Sequence, residues 1–132
     1  MAALDIVKQY YSSFNKKDWQ GMLELVHSEI RHEPNQGDVR IGKELFTEFL
    51  KMMDDSYEET LTDMVFFTES GDTRIAAEFT VNGIYKKGED DMPAAHGQSY
   101  ILSAAAFLEI KDGQISRVTT YYNLPLWIKL VS

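Results

Sequence analysis

Residues 98–123, QSYILSAAAFLEIKDGQISRVTTYYN, decide the fold class. Tyr100, Leu102, Ala104 and Ala106 alternate with Ile101, Ser103, Ala105 and Phe107, and Val118, Thr120 and Tyr122 alternate with Arg117, Thr119 and Tyr121. A period of two sends successive side chains to opposite faces of a strand. Asp112-Gly113 stands between the runs, and such a pair tolerates the positive φ of a tight hairpin. Antiparallel strands are therefore predicted over 98–110 and 114–123. Working back, Gly71-Asp72 separates a second pair, 58–69 and 73–86. The polar segment 87–97 joins the two pairs as a loop.

Upstream of Tyr57 the period is 3.6. Ile6, Val7, Tyr10, Tyr11 and Phe14 share one face of a helix over 3–14, and Asp18 is a suitable N-cap for a second helix over 19–27. Glu29 to Glu33 reads as a short strand, and Pro34-Asn35-Gln36-Gly37-Asp38 as a turn. Leu45, Phe46, Phe49, Leu50 and Met53 mark a third helix over 43–55. The tail Leu124 to Leu130 is either a short helix or an apolar flap. Three helices followed by an antiparallel meander predict helices packed on one face of a curved sheet.

The 132 residues suit a single domain, 1–132, with no linker or repeat. A chain near this length hides roughly two thirds of its unfolded surface, so the core needs no staples. The charge sum is 13 minus 21, or −8, which argues against a nucleic-acid partner. Without cysteine there is no disulfide, thiolate metal site or Cys nucleophile. His27, His32 and His96 lack metal-ligand spacing, so no metal site is expected. No apolar run approaches the ~20 residues of a membrane span. Met1-Ala2-Ala3-Leu4-Asp5 has neither the basic nor the apolar region of a signal peptide. These features imply a soluble, acidic, cytoplasmic protein that does not engage membranes.

Several strings in this order resemble one superfamily. Ile6 to Asp18 reads apolar pair, polar pair, aromatic, then Asn15-Lys16-Lys17-Asp18; His32-Glu33-Pro34 closes the first strand; Asp112-Gly113-Gln114-Ile115 precedes the last. The chain is similar to the nuclear transport factor 2-like superfamily, in its SnoaL-like and ketosteroid isomerase-related branch. Tyr121 to Trp127, together with Asn35-Gln36-Gly37, resembles a ketosteroid isomerase-related subgroup. The resemblance implies an α+β cone, in which a mixed, mainly antiparallel sheet wraps three helices and leaves a pocket at its open end. It also implies a homodimer through the outer sheet face.

In strand 73–86, Arg74, Ala76, Glu78, Thr80, Asn82 and Ile84 share one face, and Ile75, Ala77, Phe79, Val81, Gly83 and Tyr85 the other. Burial alone sends the apolar row to the core. The resemblance implies the reverse: Glu78, Thr80 and Asn82 line the pocket, while Ile75, Phe79 and Val81 meet a second subunit.

The resemblance places Glu33 where the isomerases carry their general base, an Asp one methylene shorter, and Tyr10 where they carry an oxyanion donor. The plainer readings are a solvated strand-end acid and a core tyrosine. Alternation points His32 away from Glu33 unless Pro34 forces a bulge. A second oxyanion acid is missing, since the matching stretch is Ala104-Ala105-Ala106. Tyr100, Tyr122, Thr120 or water must replace it. Phe14, Trp19, His32, Tyr100, Leu102, Ala104, Ala106, Val118, Thr120 and Tyr122 complete the expected lining, with Glu78, Thr80 and Asn82. An epoxide-hydrolase triad of Arg and two Asp is absent, because Glu78, Thr80 and Thr120 occupy the matching positions. The implied function is binding of a small, largely apolar oxygenated molecule, with cofactor-free isomerase- or cyclase-type proton transfer next to a carbonyl. The alternative is a non-catalytic ligand-binding or dimerisation domain.

Overall fold

A computed structural model describes residues 2–34 and 36–132. Met1 and Asn35, which entered the reading of the N-terminus and of the 35–37 string, lie outside the described residues. Helices α1 (Ala3–Asn15) and α2 (Trp19–Leu25) lead into β1 (Val26–Glu33) and the short β2 (Arg40–Ile41). Helix α3 (Lys43–Ser56) precedes β3 (Tyr57–Thr68), β4 (Arg74–Tyr85), β5 (Ser99–Lys111) and β6 (Gln114–Tyr122), and α4 (Leu124–Val131) closes the chain. The six strands form one curved, unclosed sheet in the order β2-β1-β6-β5-β4-β3. Among the described residues, only the β1–β6 pairing is parallel. Among the described residues, no helix is long and apolar enough to cross a membrane.

Local chemistry explains the element ends. Asp18 caps α2 by accepting from the Gly21 amide at 2.9 Å, and Asn123 caps α4 by accepting from Leu126 at 3.0 Å. The tail is thus a helix, anchored by buried Trp127 and Val131. Asp112 and Gly113 both take positive φ, 53° and 74°, as a two-residue hairpin of this type requires. Strand β1 starts at Val26 rather than Glu29, because Val26 and Ile30 are both buried. A register shift between Thr62 and Val65 puts an irregularity in β3, with Asp63 at φ 54°. Irregularities of this kind bend strands, and here they help curve the sheet.

The structure corrects the expected faces of β4. Ile75, Ala77, Phe79, Val81, Gly83 and Tyr85 are buried toward the helices, and Phe79 meets Tyr11 of α1 with ring centroids 5.6 Å apart. Glu78, Thr80 and Asn82 face outward. Asn82 donates to the Thr62 hydroxyl at 2.9 Å on that outer side. The burial rule holds, and the inversion inferred from the resemblance does not. The row Ile75, Phe79, Val81 is therefore unavailable to a second subunit. The outer face instead exposes Val65, Phe67, Ile84, Ile101, Phe107 and Tyr121.

Asn15, the last residue of α1, pins that helix to β3. Its side-chain amide donates to the Leu61 carbonyl at 3.0 Å and accepts from the Leu61 amide at 2.8 Å. It satisfies both backbone groups of a residue with no strand on that side. Asn15→Ala should lose about 2 kcal/mol of stability, two ordinary hydrogen bonds, in urea denaturation. A loss below a few tenths would show that water replaces the amide there.

Candidate functional site

A cavity of about 320 Å³ lies between the inner sheet face and the helices. Its wall is mostly apolar: Phe49, Leu61, Phe79, Val81, Leu102 and Trp127 contribute much of it. Of the residues expected from sequence, Tyr10 and Phe14 reach it from α1, and His32 from β1. Leu102 and Ala104 reach it from β5, and Val118, Thr120 and Tyr122 from β6. Trp19 stacks edge-on against Phe14 at 5.9 Å, off the wall. Ala106 is sealed in the core.

Glu33 is not on the wall. Alternation turns His32 inward, so Arg31 and Glu33 share the opposite face, where their side chains pair at 2.5 Å. Glu78 and Thr80 line a separate shallow hollow on the outer face, with Asp63, Ser103 and Tyr121.

On β3, Glu59 turns its side of the strand to the cavity. Burial raises its pKa above the ordinary 4.5, while Tyr100 and the Lys17 charge work against that rise. Tyr100 Oη donates to Glu59 Oε2 at 2.6 Å, and the Lys17 ammonium donates to the Glu59 carbonyl oxygen. Register explains this pairing. Glu59 sits opposite Gly83, and Gly83 opposite Tyr100, so the three share a row across β3, β4 and β5. With no side chain at Gly83, the Tyr100 ring lies across it to reach an acid two strands away. A Cβ there would stand 2.2 Å from Tyr100 Cζ. Tyr100 is therefore not a cavity donor; its hydroxyl holds Glu59. Burial, then the nearby Glu59 charge, keep that phenol protonated.

Glu59 was missed, although a signal for it exists. Tyr57, Glu59 and Leu61 share one strand face, so an acid between two such residues is turned inward and half-buried. Glu89, on the loop after β4, also lines the cavity and accepts from the Tyr57 hydroxyl at 3.3 Å. Burial, followed by the Glu59 and Glu89 charges, pushes the Tyr122 phenol up.

Across the cavity the chemistry differs. His32 is 3 % exposed and packs against Phe46 and Phe49, with ring centroids 5.3 and 4.3 Å away. Burial, then the Arg40 charge, lower its pKa to about 4, so the ring is neutral near pH 7. Its Nδ1 has no hydrogen-bond partner among the described residues. Burial likewise holds the Tyr10 phenol protonated. Among the described residues, no group of three or more His, Cys, Asp or Glu is placed to hold a metal ion.

The profile of the SnoaL-like domain matches residues 7–118. The chain belongs to the SnoaL-like domain family. A provisionally assigned polyketide cyclase from Xanthomonas campestris pv. campestris is 44 % identical to this SnoaL-like chain, with a TM-score of 0.95, covering 98 % of this chain and 96 % of that one. Another, from Pseudomonas putida KT2440, is 41 % identical, with a TM-score of 0.98, covering 100 % and 99 %. An NTF2-like protein of unknown function from Burkholderia pseudomallei K96243 shares the fold at 17 % identity and a TM-score of 0.82, covering 98 % and 97 %. No curated protein matches the chain. The SnoaL-like assignment and these cyclase neighbours support a family of cyclase and isomerase type. Within the fold, Gln36 donates to the Tyr122 carbonyl at 3.0 Å, which joins two of the strings that carried the resemblance.

Gly83→Ala should force the Tyr100 ring off Glu59. The expected cost is about 1–3 kcal/mol of overpacking and lost bonding. Tyr100→Phe should cost a similar amount alone, yet much less in the Gly83→Ala background. A double-mutant cycle in denaturant measures this. Strict additivity would mean that the alanine leaves the Tyr100–Glu59 bond in place.

Proposed function

We propose that the cavity binds a small, largely apolar molecule carrying a carbonyl group, and that Glu59 shuttles a proton at the carbon beside it. The observation that carries this reading is a half-buried carboxylate on the wall of an apolar cavity, hydrogen-bonded to Tyr100, with its basicity raised by desolvation. Ionised Glu59 takes the α-proton and becomes a carboxylic acid, while the bond pair moves into the carbonyl to give an enolate. In an isomerisation, Glu59 returns the proton to another carbon of the same molecule. In a cyclisation, the enolate carbon attacks a second carbonyl of that molecule, a C–C bond forms, and the new alkoxide takes the proton. Neither route consumes an oxidant or a co-reactant. Of the hydroxyl groups on the wall, Tyr10, Thr120 and Tyr122 serve as donors to the developing oxyanion.

The proton-transfer reading keeps the chemistry expected from the resemblance and moves the base from Glu33 to Glu59. Glu33 is salt-bridged on the other strand face, whereas the Glu59 carboxylate lies on the wall beside a fixed donor.

2-Tetralone, a two-ring ketone with acidic α-protons, is a suitable probe. In D₂O the protein should accelerate exchange at those carbons, followed by proton NMR. The rate should climb as pH rises through a value above 4.5, because only ionised Glu59 accepts a proton. Glu59→Gln should slow exchange by about 10²-fold or more. The same variant should be more stable than wild type at neutral pH, since desolvation disfavours ionised Glu59 in the fold. That advantage should vanish below about pH 4.5, where wild type is protonated in both folded and unfolded states. Wild-type exchange by Glu59→Gln would sink the proposal, and exchange no faster than in buffer alone would leave the ligand-binding alternative.

A further inference from the structure

We propose that His32 is a specificity-determining contact for a second oxygen of the ligand, so that the cavity selects molecules bearing an oxygen at each end of an apolar frame. The inference rests on the carbonyl-binding reading above and extends it to substrate class. It starts from where the polar groups stand. Glu59 lies on β3, one edge of the sheet, and His32 on β1, beside the other edge. Four inter-strand steps separate those strands, about 19 Å along the sheet surface. Both residues line the same cavity across the curved sheet, and the wall between them is largely apolar. Ala104 keeps the floor low where it pairs with Phe79 and Tyr122. A ligand held at Glu59 by its carbonyl end extends across this wall toward the His32 side of the cavity.

His32 is built for a neutral hydrogen bond. Packing against Phe46 and Phe49 fixes the ring. Arg40, which stacks over Phe49 at 5.3 Å, adds a positive charge that disfavours protonation. Nδ1 is sealed and without a partner among the described residues, so the ring meets the cavity through its other edge, which carries Nε2. An unpartnered buried N–H is costlier than an unmet lone pair, which places the proton on Nε2. The sealed Nδ1 stays unpaired with or without a ligand, so what a ligand adds is a bond at Nε2 on the cavity side. A cavity group that bonds one substrate oxygen discriminates strongly against analogues lacking it.

The test compares two ketones and two phenols. Wild type should exchange 6-hydroxy-2-tetralone with a kcat/KM at least about tenfold above that for 2-tetralone. It should also bind 2,6-dihydroxynaphthalene more tightly than 2-naphthol by a similar factor in fluorescence titration. His32→Phe should bring both ratios near one while raising the melting temperature, and His32→Gln, which retains a donor near the Nε2 position, should keep part of each preference. Unchanged ratios in a folded His32→Phe overturn the proposal. Should wild type exchange neither ketone, the proton-transfer reading fails, and the binding ratio still decides the role of His32. Should His32→Phe not fold, ¹⁵N NMR of wild type decides. The His32 Nε2 resonance must move with 2,6-dihydroxynaphthalene and not with 2-naphthol, and an unmoved resonance refutes the contact.

Discussion

Strand β4 carries Ile75, Ala77, Phe79, Val81 and Tyr85 on one face, and those side chains must leave water. One helix, α1, supplies Tyr10 and Tyr11 against that side of the sheet, and α3 and α4 cover its flanks with Phe46, Leu50 and Trp127. A curved sheet cannot be filled evenly by straight helices. The uncovered part of the inner face becomes the cavity, and its apolar wall is the same surface that drives folding. Site and core are therefore continuous: Phe79 and Val81 belong to both.

Within that apolar setting, ionised Glu59 is a cost that the fold bears locally. Its row neighbour Gly83 leaves a gap, Tyr100 fills the gap with its ring and meets the acid with its hydroxyl, and Trp127 of the last helix packs edge-on against Tyr100 at 5.9 Å. One missing side chain in β4 thus couples a C-terminal helix to an acid on the far edge strand. The bond to Tyr100 lowers the acid's pKa and burial raises it, so the two set its basicity against each other.

Much of the fold was legible because it is written in periods. Alternation over 98–123 with Asp112-Gly113 between the runs, and the helical spacing of Ile6, Val7, Tyr10 and Tyr11, are local signals, and both elements formed where expected. The two-residue β2 has no period to detect. The face of β4 was misread because the resemblance was allowed to override burial. Glu33 illustrates another limit. Its place beside Pro34 resembles the family's general-base position, but a one-residue difference in alternation decides which wall a side chain reaches. The structure puts His32 inward and Glu33 outward. Glu59 was recoverable from its neighbours Tyr57 and Leu61. Its partner was not, because Tyr100 lies 41 residues away and only sheet register brings the two together.

The account stands on Glu59 being a half-buried, partly desolvated base poised by Tyr100. The most direct test is ¹³C NMR titration of its side-chain carboxyl in wild type and in Tyr100→Phe. The account predicts a wild-type midpoint above 4.5 and a still higher one in the variant, which has lost the bond that favours the ionised form. A wild-type midpoint at or below 4.5, or one that Tyr100→Phe leaves in place, would contradict it.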